Sequence, residues 1–314
     1  MTDLRVDSPD AVASNGVVRA RWPRVVFAVL IALLVLGYLA AVCTRWGQRI
    51  DDLGLGGGFV RKELAGDEAY WTQVGRLVDL ALAAALMIAA GAALVRRELR
   101  LAVAIVGAVG AVVLVAWVMK FALPRPSLVL RSPIGHNTYP SGHVATATTI
   151  AGALVAAATP RWRAVALALG ALLIAVVAAV ALTGAEHRIS DTTGGLALGL
   201  AAGLGLAMWF APPIHRTMVL WGSAAVAGTV GVFLALVAAV GFMRDAPAAA
   251  RGTRNRSLQF ELLGWGRWWM VALALLVPAV VALAVPFWRA QGGADAPVDA
   301  PEGEGGVSGS RTPP

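Results

Sequence analysis

Eight apolar runs, each about as long as a bilayer is thick, constrain this chain more than anything else in it. They cover residues 25–43, 77–95, 101–119, 144–158, 164–182, 193–210, 218–242 and 268–288. A helix crossing hydrocarbon needs about 18 or more predominantly apolar residues. Inside lipid it must also satisfy its own backbone hydrogen bonds, which a helix does. The fourth run is short and needs the turn at Ser141, Gly142 and His143 to lengthen it. The expected fold is all-α, a polytopic membrane helix bundle of about eight transmembrane helices. Only 14% of the residues are charged, against roughly 25% in soluble domains, so a water-soluble reading is excluded.

Tryptophan gives independent support, because its ring prefers the headgroup layer. Trp22 and Trp46 bracket the first run, Trp71 precedes the second and Trp117 closes the third. Trp162, Trp209, Trp221 and Trp288 also stand at run ends, and Trp265, Trp268 and Trp269 gather at the start of the last. In the sixth run Gly195, Gly199 and Gly203 repeat every four residues, which puts a close-packing seam on one helix face. Residues 1–23 are polar and irregular and are expected to form a disordered cytoplasmic tail. Residues 291–314 turn to Gly, Ala, Asp, Glu and Pro and are expected to form a second disordered tail.

The net charge of +8 has no basic run interleaved with aromatics, so nucleic acid is not an expected partner. The bilayer is the expected partner; protein partners are not legible. Cys43 is alone, which rules out an intramolecular disulfide and a cysteine metal cluster. Val42 stands where a lipoprotein signal needs a small residue, so the first run reads as an anchor. Arg19, Arg21 and Arg24, with Arg96, Arg97 and Arg100, place their ends in the cytoplasm. Arg244, Arg251, Arg254 and Arg256 argue the other way. Following the early helices, residues 120–143 and 186–191 lie on the outer face.

Three short segments carry the chemistry, all at run ends on that same side. Lys120 and Arg125 set two cations at the mouth of the bundle; snorkelling to the interface is the plain alternative. Pro140, Ser141, Gly142 and His143 open the fourth run. Free N–H groups and the positive end of a helix there favour an anion, while a simple N-cap by Ser141 is the plain alternative. His187 and Asp191 are four apart and share a face if both are helical. A carboxylate on one imidazole nitrogen leaves the other as a more basic nucleophile; a solvated ion pair is the plain alternative. His136 is placed at the site rim and His215 at the interface. Together these are the parts of phosphoryl transfer: cations on the oxygens, a nucleophile and an acid for the leaving group. No acidic cluster suited to Mg²⁺ lies beside them, so a route without a metal or other cofactor is expected.

Lys120 followed by Arg125-Pro126, then Pro140-Ser141-Gly142-His143, then His187 with Asp191, resembles the type 2 phosphatidic acid phosphatase superfamily, whose soluble relatives include the vanadium haloperoxidases. The resemblance implies a six-helix lipid phosphatase-like core over 24–215, with two additional transmembrane helices over 216–290. It implies that His187 attacks phosphorus and forms a phosphohistidine, that Asp191 orients it and that His143 protonates the leaving oxygen. Lys120, Arg125, Ser141 and Gly142 would bind the phosphate. Two departures stand out. The spacer between Lys120 and Arg125 is shorter than the family's usual one, and the third-motif arginine is replaced by Ala181. Arg188 and Arg131 are the candidates to supply the missing cation.

The function expected is a lipid phosphate or pyrophosphate phosphatase of the bacterial plasma membrane, acting at the outer face. Its substrate would belong with undecaprenyl pyrophosphate, phosphatidic acid or phosphatidylglycerol phosphate. The alternatives are a lipid-linked phosphotransferase using the same histidine and a non-enzymatic lipid-phosphate binder or transporter.

Overall fold

The computed structural model describes residues 22–65, 68–129, 132, 134–210, 218–251 and 255–292. Among these, nine α-helices and no strand occur. In chain order they are α1 (Trp22–Gly37), continued by a π-helical turn (Tyr38–Val42), α2 (Arg45–Ala65), α3 (Glu68–Val95) and α4 (Leu99–Ala122). Then follow α5 (Gly142–Ala157), α6 (Arg163–Thr183), α7 (Ile189–Phe210), α8 (Met218–Ala250) and α9 (Arg256–Gly292). Arg131, His215 and nearly all of the tails expected over 1–23 and 291–314 lie outside the described residues.

Six of these helices are long and apolar enough to cross a membrane, or seven if α1 and α2, bent by 84° at their junction, count as one broken span. The protein is an integral membrane protein. The fourth apolar run becomes α5, which at 16 residues is apolar but too short to count among those spans. Its place explains its composition. Val144, Ala145, Ala147, Ile150 and Ala153 are fully enclosed, so α5 runs through the middle of the bundle with neighbours on every side. The glycine seam of α7 packs here. A Cβ on Gly195 would strike the carbonyl of Ser141, and one on Gly199 that of Ala145. Contact this close, with dispersion on both sides and no side chain between, is what small residues provide in lipid.

Two features differ from the sequence-based expectation. Residues 45–65 were not among the apolar runs, yet form α2. Its Asp51, Asp52, Arg45, Arg49, Arg61 and Lys62 hold its hydropathy down, and Gly54, Gly56, Gly57 and Gly58 lower helix propensity. Those glycines are packing sites: a Cβ on Gly57 would strike the carbonyl of Gln259, and one on Gly58 would sit 2.6 Å from that of Leu182. The last helix also begins about a dozen residues before the apolar run 268–288. Trp265 and Trp269 therefore fall inside it and face protein partners. Trp265 Nε1 donates to Asp245 Oδ2 on α8 at 2.8 Å, and Trp269 Nε1 to Thr193 Oγ1 on α7 at 3.3 Å.

Candidate active site

The three segments singled out in the sequence converge at one end of the bundle, around Asp191. The Ser141 N–H donates to the Asp191 carbonyl at 2.8 Å, which joins the start of α5 to the start of α7. Thr138 Oγ1 donates to Asp191 Oδ2 at 2.6 Å. Asn137 Nδ2 donates to the Leu123 carbonyl at 3.1 Å, tying the same loop to the end of α4. Lys120, half-buried on the last turn of α4, lies within electrostatic range of Asp191.

His187 and Asp191 meet, though not along a helix face as expected, because α7 begins only at Ile189. A capping turn brings them together instead. Asp191, the third helical residue, accepts the Arg188 N–H on Oδ2 at 2.9 Å, which is the reach-back of a capping box. His187 Nδ1 then stands 3.5 Å from the same oxygen. That separation is a charge contact rather than a formed hydrogen bond, and Nδ1 has no hydrogen-bond partner. Apo catalytic contacts commonly tighten only around substrate. Since Nδ1 faces the carboxylate, Nε2 is the nitrogen left for chemistry.

The backbone before His187 is held by the end of α6. The N–H groups of Glu186 and His187 both donate to the Ala181 carbonyl, at 3.1 and 3.2 Å, and Ala185 N donates to Leu182 O at 3.3 Å. This is the Schellman pattern, with Ala185 at φ 56° in the position that usually takes glycine. Ala181 thus anchors His187 through its carbonyl while offering no cation.

At α5, Ser141 has extended backbone angles and its Oγ accepts the Val144 N–H at 3.5 Å, so the N-cap alternative is realised, with a long bond. A Cβ on Gly142 would meet nothing within 4 Å, and open space therefore lies against this helix start. His143 Nε2 lies 3.1 Å from Asp79 Oδ1 on α3. A cavity of about 120 Å³ is lined by His143, Asp79, Glu186 and Ala181, with Gly75, Val78, Val177 and Val180. His136 is exposed.

Arg188, expected as a phosphate ligand, lies beside Asp191 and is engaged by protein groups. It is fully buried, and each guanidinium nitrogen donates to a protein acceptor. Nε binds Asp52 Oδ1 at 2.9 Å, Nη1 binds Thr138 Oγ1 at 2.9 Å, and Nη2 binds Ser132 Oγ at 3.1 Å and the Ile134 carbonyl at 2.6 Å. Asp52 Oδ1 also lies 3.4 Å from Arg125 Nη2. Arg125 is closely enclosed, and its Nη1 is buried without a protein partner. Burial is the largest influence on Arg125 and lowers its pKa, followed by the nearby Arg188, with Asp51, Asp52 and Asp191 opposing. A guanidinium stays charged regardless. Tyr38 donates to the Pro124 carbonyl, and Gln48 Nε2 donates to the carbonyls of Val42 and Pro126, both at 2.6 Å. These contacts fix the loop that carries Arg125.

The residue-by-residue reading missed Asp51, Asp52, Asp79, Thr138 and Ser190. Asp51 accepts both the Ser190 N–H, at 3.1 Å, and its hydroxyl, at 2.5 Å, so α2 holds the first turn of α7 at two points. The available signal was the adjacent pair Asp51-Asp52 in a chain with only 18 acidic residues. Carboxylates on a helix inside a membrane bundle need partners, and the paired cations were already in view.

Compared with known families, residues 25–215 match the model of the PAP2 superfamily. The chain belongs to the PAP2 superfamily. That membership implies lipid phosphate phosphatase-like activity, and the PAP2 match ends where the described part of α7 gives way to the last two helices. No curated protein and no solved structure shows a significant match to the chain.

Proposed function

We propose that this PAP2 protein hydrolyses a phosphomonoester or pyrophosphate of a membrane lipid through a phosphohistidine at His187, at the extracytoplasmic face. The observation that carries the reading is the convergence on Asp191: one carboxylate oxygen holds the turn before α7 and faces His187 Nδ1. Nε2 then attacks phosphorus while the bond to the lipid oxygen breaks, and His143 gives its proton to that oxygen. Water next attacks phosphorus, His143 takes the water proton, and the P–N bond breaks to release phosphate. Lys120, Arg125 and the start of α5 at Ser141 and Gly142 hold the phosphoryl oxygens. Arg188 acts as scaffold, joining α2, the 132–138 loop and α7.

The test is phosphate release by detergent-purified protein in the presence of EDTA, from undecaprenyl pyrophosphate, phosphatidic acid and phosphatidylglycerol phosphate. Turnover that persists with EDTA and disappears in His187→Ala is the expected result. Turnover retained by His187→Ala would refute the phosphohistidine route. Vanadate, a mimic of the five-coordinate phosphorus, is expected to inhibit.

A further inference from the structure

Each histidine of the site has a carboxylate at one ring nitrogen. For His187 it is Asp191, from the same capping turn. For His143 it is Asp79, on a helix that carries none of the three motifs, 3.1 Å from Nε2. We propose that Asp79 is a positioning residue for the proton donor: it holds the His143 imidazole by Nε2–H and turns Nδ1 toward the leaving oxygen. The proposal rests on the phosphatase reading above.

The surroundings of His143 leave Asp79 this role. α5 carries no other titratable residue. α3 contributes Asp79, and the turn before α7 contributes Glu186, both lining the cavity with His143. α4 contributes Lys120, whose charge interacts with Asp191, and α7 contributes Asp191 with His187 just before it. Where the family places an arginine, Ala181 lines the cavity, and no cationic residue in that lining competes for the Asp79 carboxylate. Gly75, one turn before Asp79, brings α3 close to the turn; a Cβ there would lie 3.9 Å from Glu186 Oε1.

A ring nitrogen bound to a carboxylate fixes tautomer and orientation. With Nε2–H engaged by Asp79, Nδ1 carries the second proton, and that proton is the one transferred. Removing the carboxylate leaves the tautomer and orientation of the ring unset. Because the pair is substantially exposed, at 43% and 66% of the side chains, the expected effect is modest.

The experiment compares wild type, Asp79→Asn, Asp79→Glu and His143→Gln on a lipid alkyl phosphate and on p-nitrophenyl phosphate. An alkoxide needs its proton to leave, whereas nitrophenolate leaves without one. Asp79→Asn is expected to lower kcat/KM roughly tenfold for the alkyl ester, a part of the range for general acid catalysis, and to leave the aryl ester within about twofold. It should be largely rescued by Asp79→Glu and add little to His143→Gln in the double variant. Equal losses on both esters, or no loss on the alkyl ester, would overturn the proposal. If His187→Ala abolishes turnover while Asp79→Asn behaves as wild type, only the role of Asp79 fails. If turnover survives His187→Ala, the phosphatase reading fails and takes the role of Asp79 with it.

Discussion

Asp52, Arg125 and Arg188 meet inside a helix bundle, where a charge without a partner is far more costly than at a wet surface. Arg188 is 0% and Asp52 2% exposed by side chain, and removing one member of a buried pair typically costs about 3–5 kcal/mol because the other charge is stranded. Arg188→Lys keeps the charge but loses the fork that reaches Asp52, Thr138, Ser132 and Ile134 at once. The expected result is a marked fall in thermal midpoint in detergent, with any remaining folded fraction keeping its vanadate sensitivity. Loss of vanadate sensitivity at an unchanged midpoint would instead make Arg188 a phosphate ligand. Ala181→Arg, which restores the family's residue type, should lower turnover. The new guanidinium would enter a cavity of about 120 Å³ beside Asp79 and Glu186 and draw Asp79 from His143. A gain in turnover, measured as phosphate release, would show that the cavity is a vacant phosphate subsite.

Helices were legible wherever they are apolar on all sides, because lipid imposes that pattern. Elements whose stability comes from specific partners were not. α2 escaped notice since Asp51 and Asp52 find partners in Arg125, Ser132, Arg188 and Ser190, far along the chain, and nothing local announces those partners. The His187–Asp191 contact was legible as a spacing, but a capping turn achieves it because the Schellman turn ends α6 just before His187. That turn also invites a test. Ala185 holds φ 56°, a conformation that costs an L-residue roughly 1–2 kcal/mol, partly offset by the greater chain entropy of glycine when unfolded. Ala185→Gly should therefore raise the thermal midpoint slightly, by the equivalent of no more than about 1 kcal/mol, and leave turnover intact. Loss of turnover with unchanged stability would mean that stiffness at Ala185 aims His187. The glycine seam of α7 was legible as a seam, whereas its partner α5 was not, since a four-residue repeat names a face and not a neighbour.

Over the whole molecule, the residues with recognisable chemistry end before 215, yet the last two helices pack against the elements that hold the site. Leu258 and Leu262 of α9 cluster with Leu53 of α2, and the Gln259 carbonyl fills the space a Cβ on Gly57 would need. Farther along α9, Gly266 lies against Ile189, the first residue of α7, and Trp269 donates to Thr193. α2 in turn supplies Asp51 to Ser190 and Asp52 to Arg125 and Arg188. With α9 absent, the glycine-rich face of α2 would meet lipid, which offers no fixed surface to match it, and Asp52 would lose its alignment with both arginines. A chain ending at residue 217 keeps every motif residue but should lose up to about a hundredfold in turnover, the effect of misplacing a catalytic group by about an ångström. The measurement is phosphate release by the truncated protein with and without co-expressed residues 218–314. Recovery on co-expression is expected, since helices already inserted can associate by packing alone. Full activity in the truncated chain would show that α2 is held by α6 and α7 unaided, and that the terminal pair serves something other than the site.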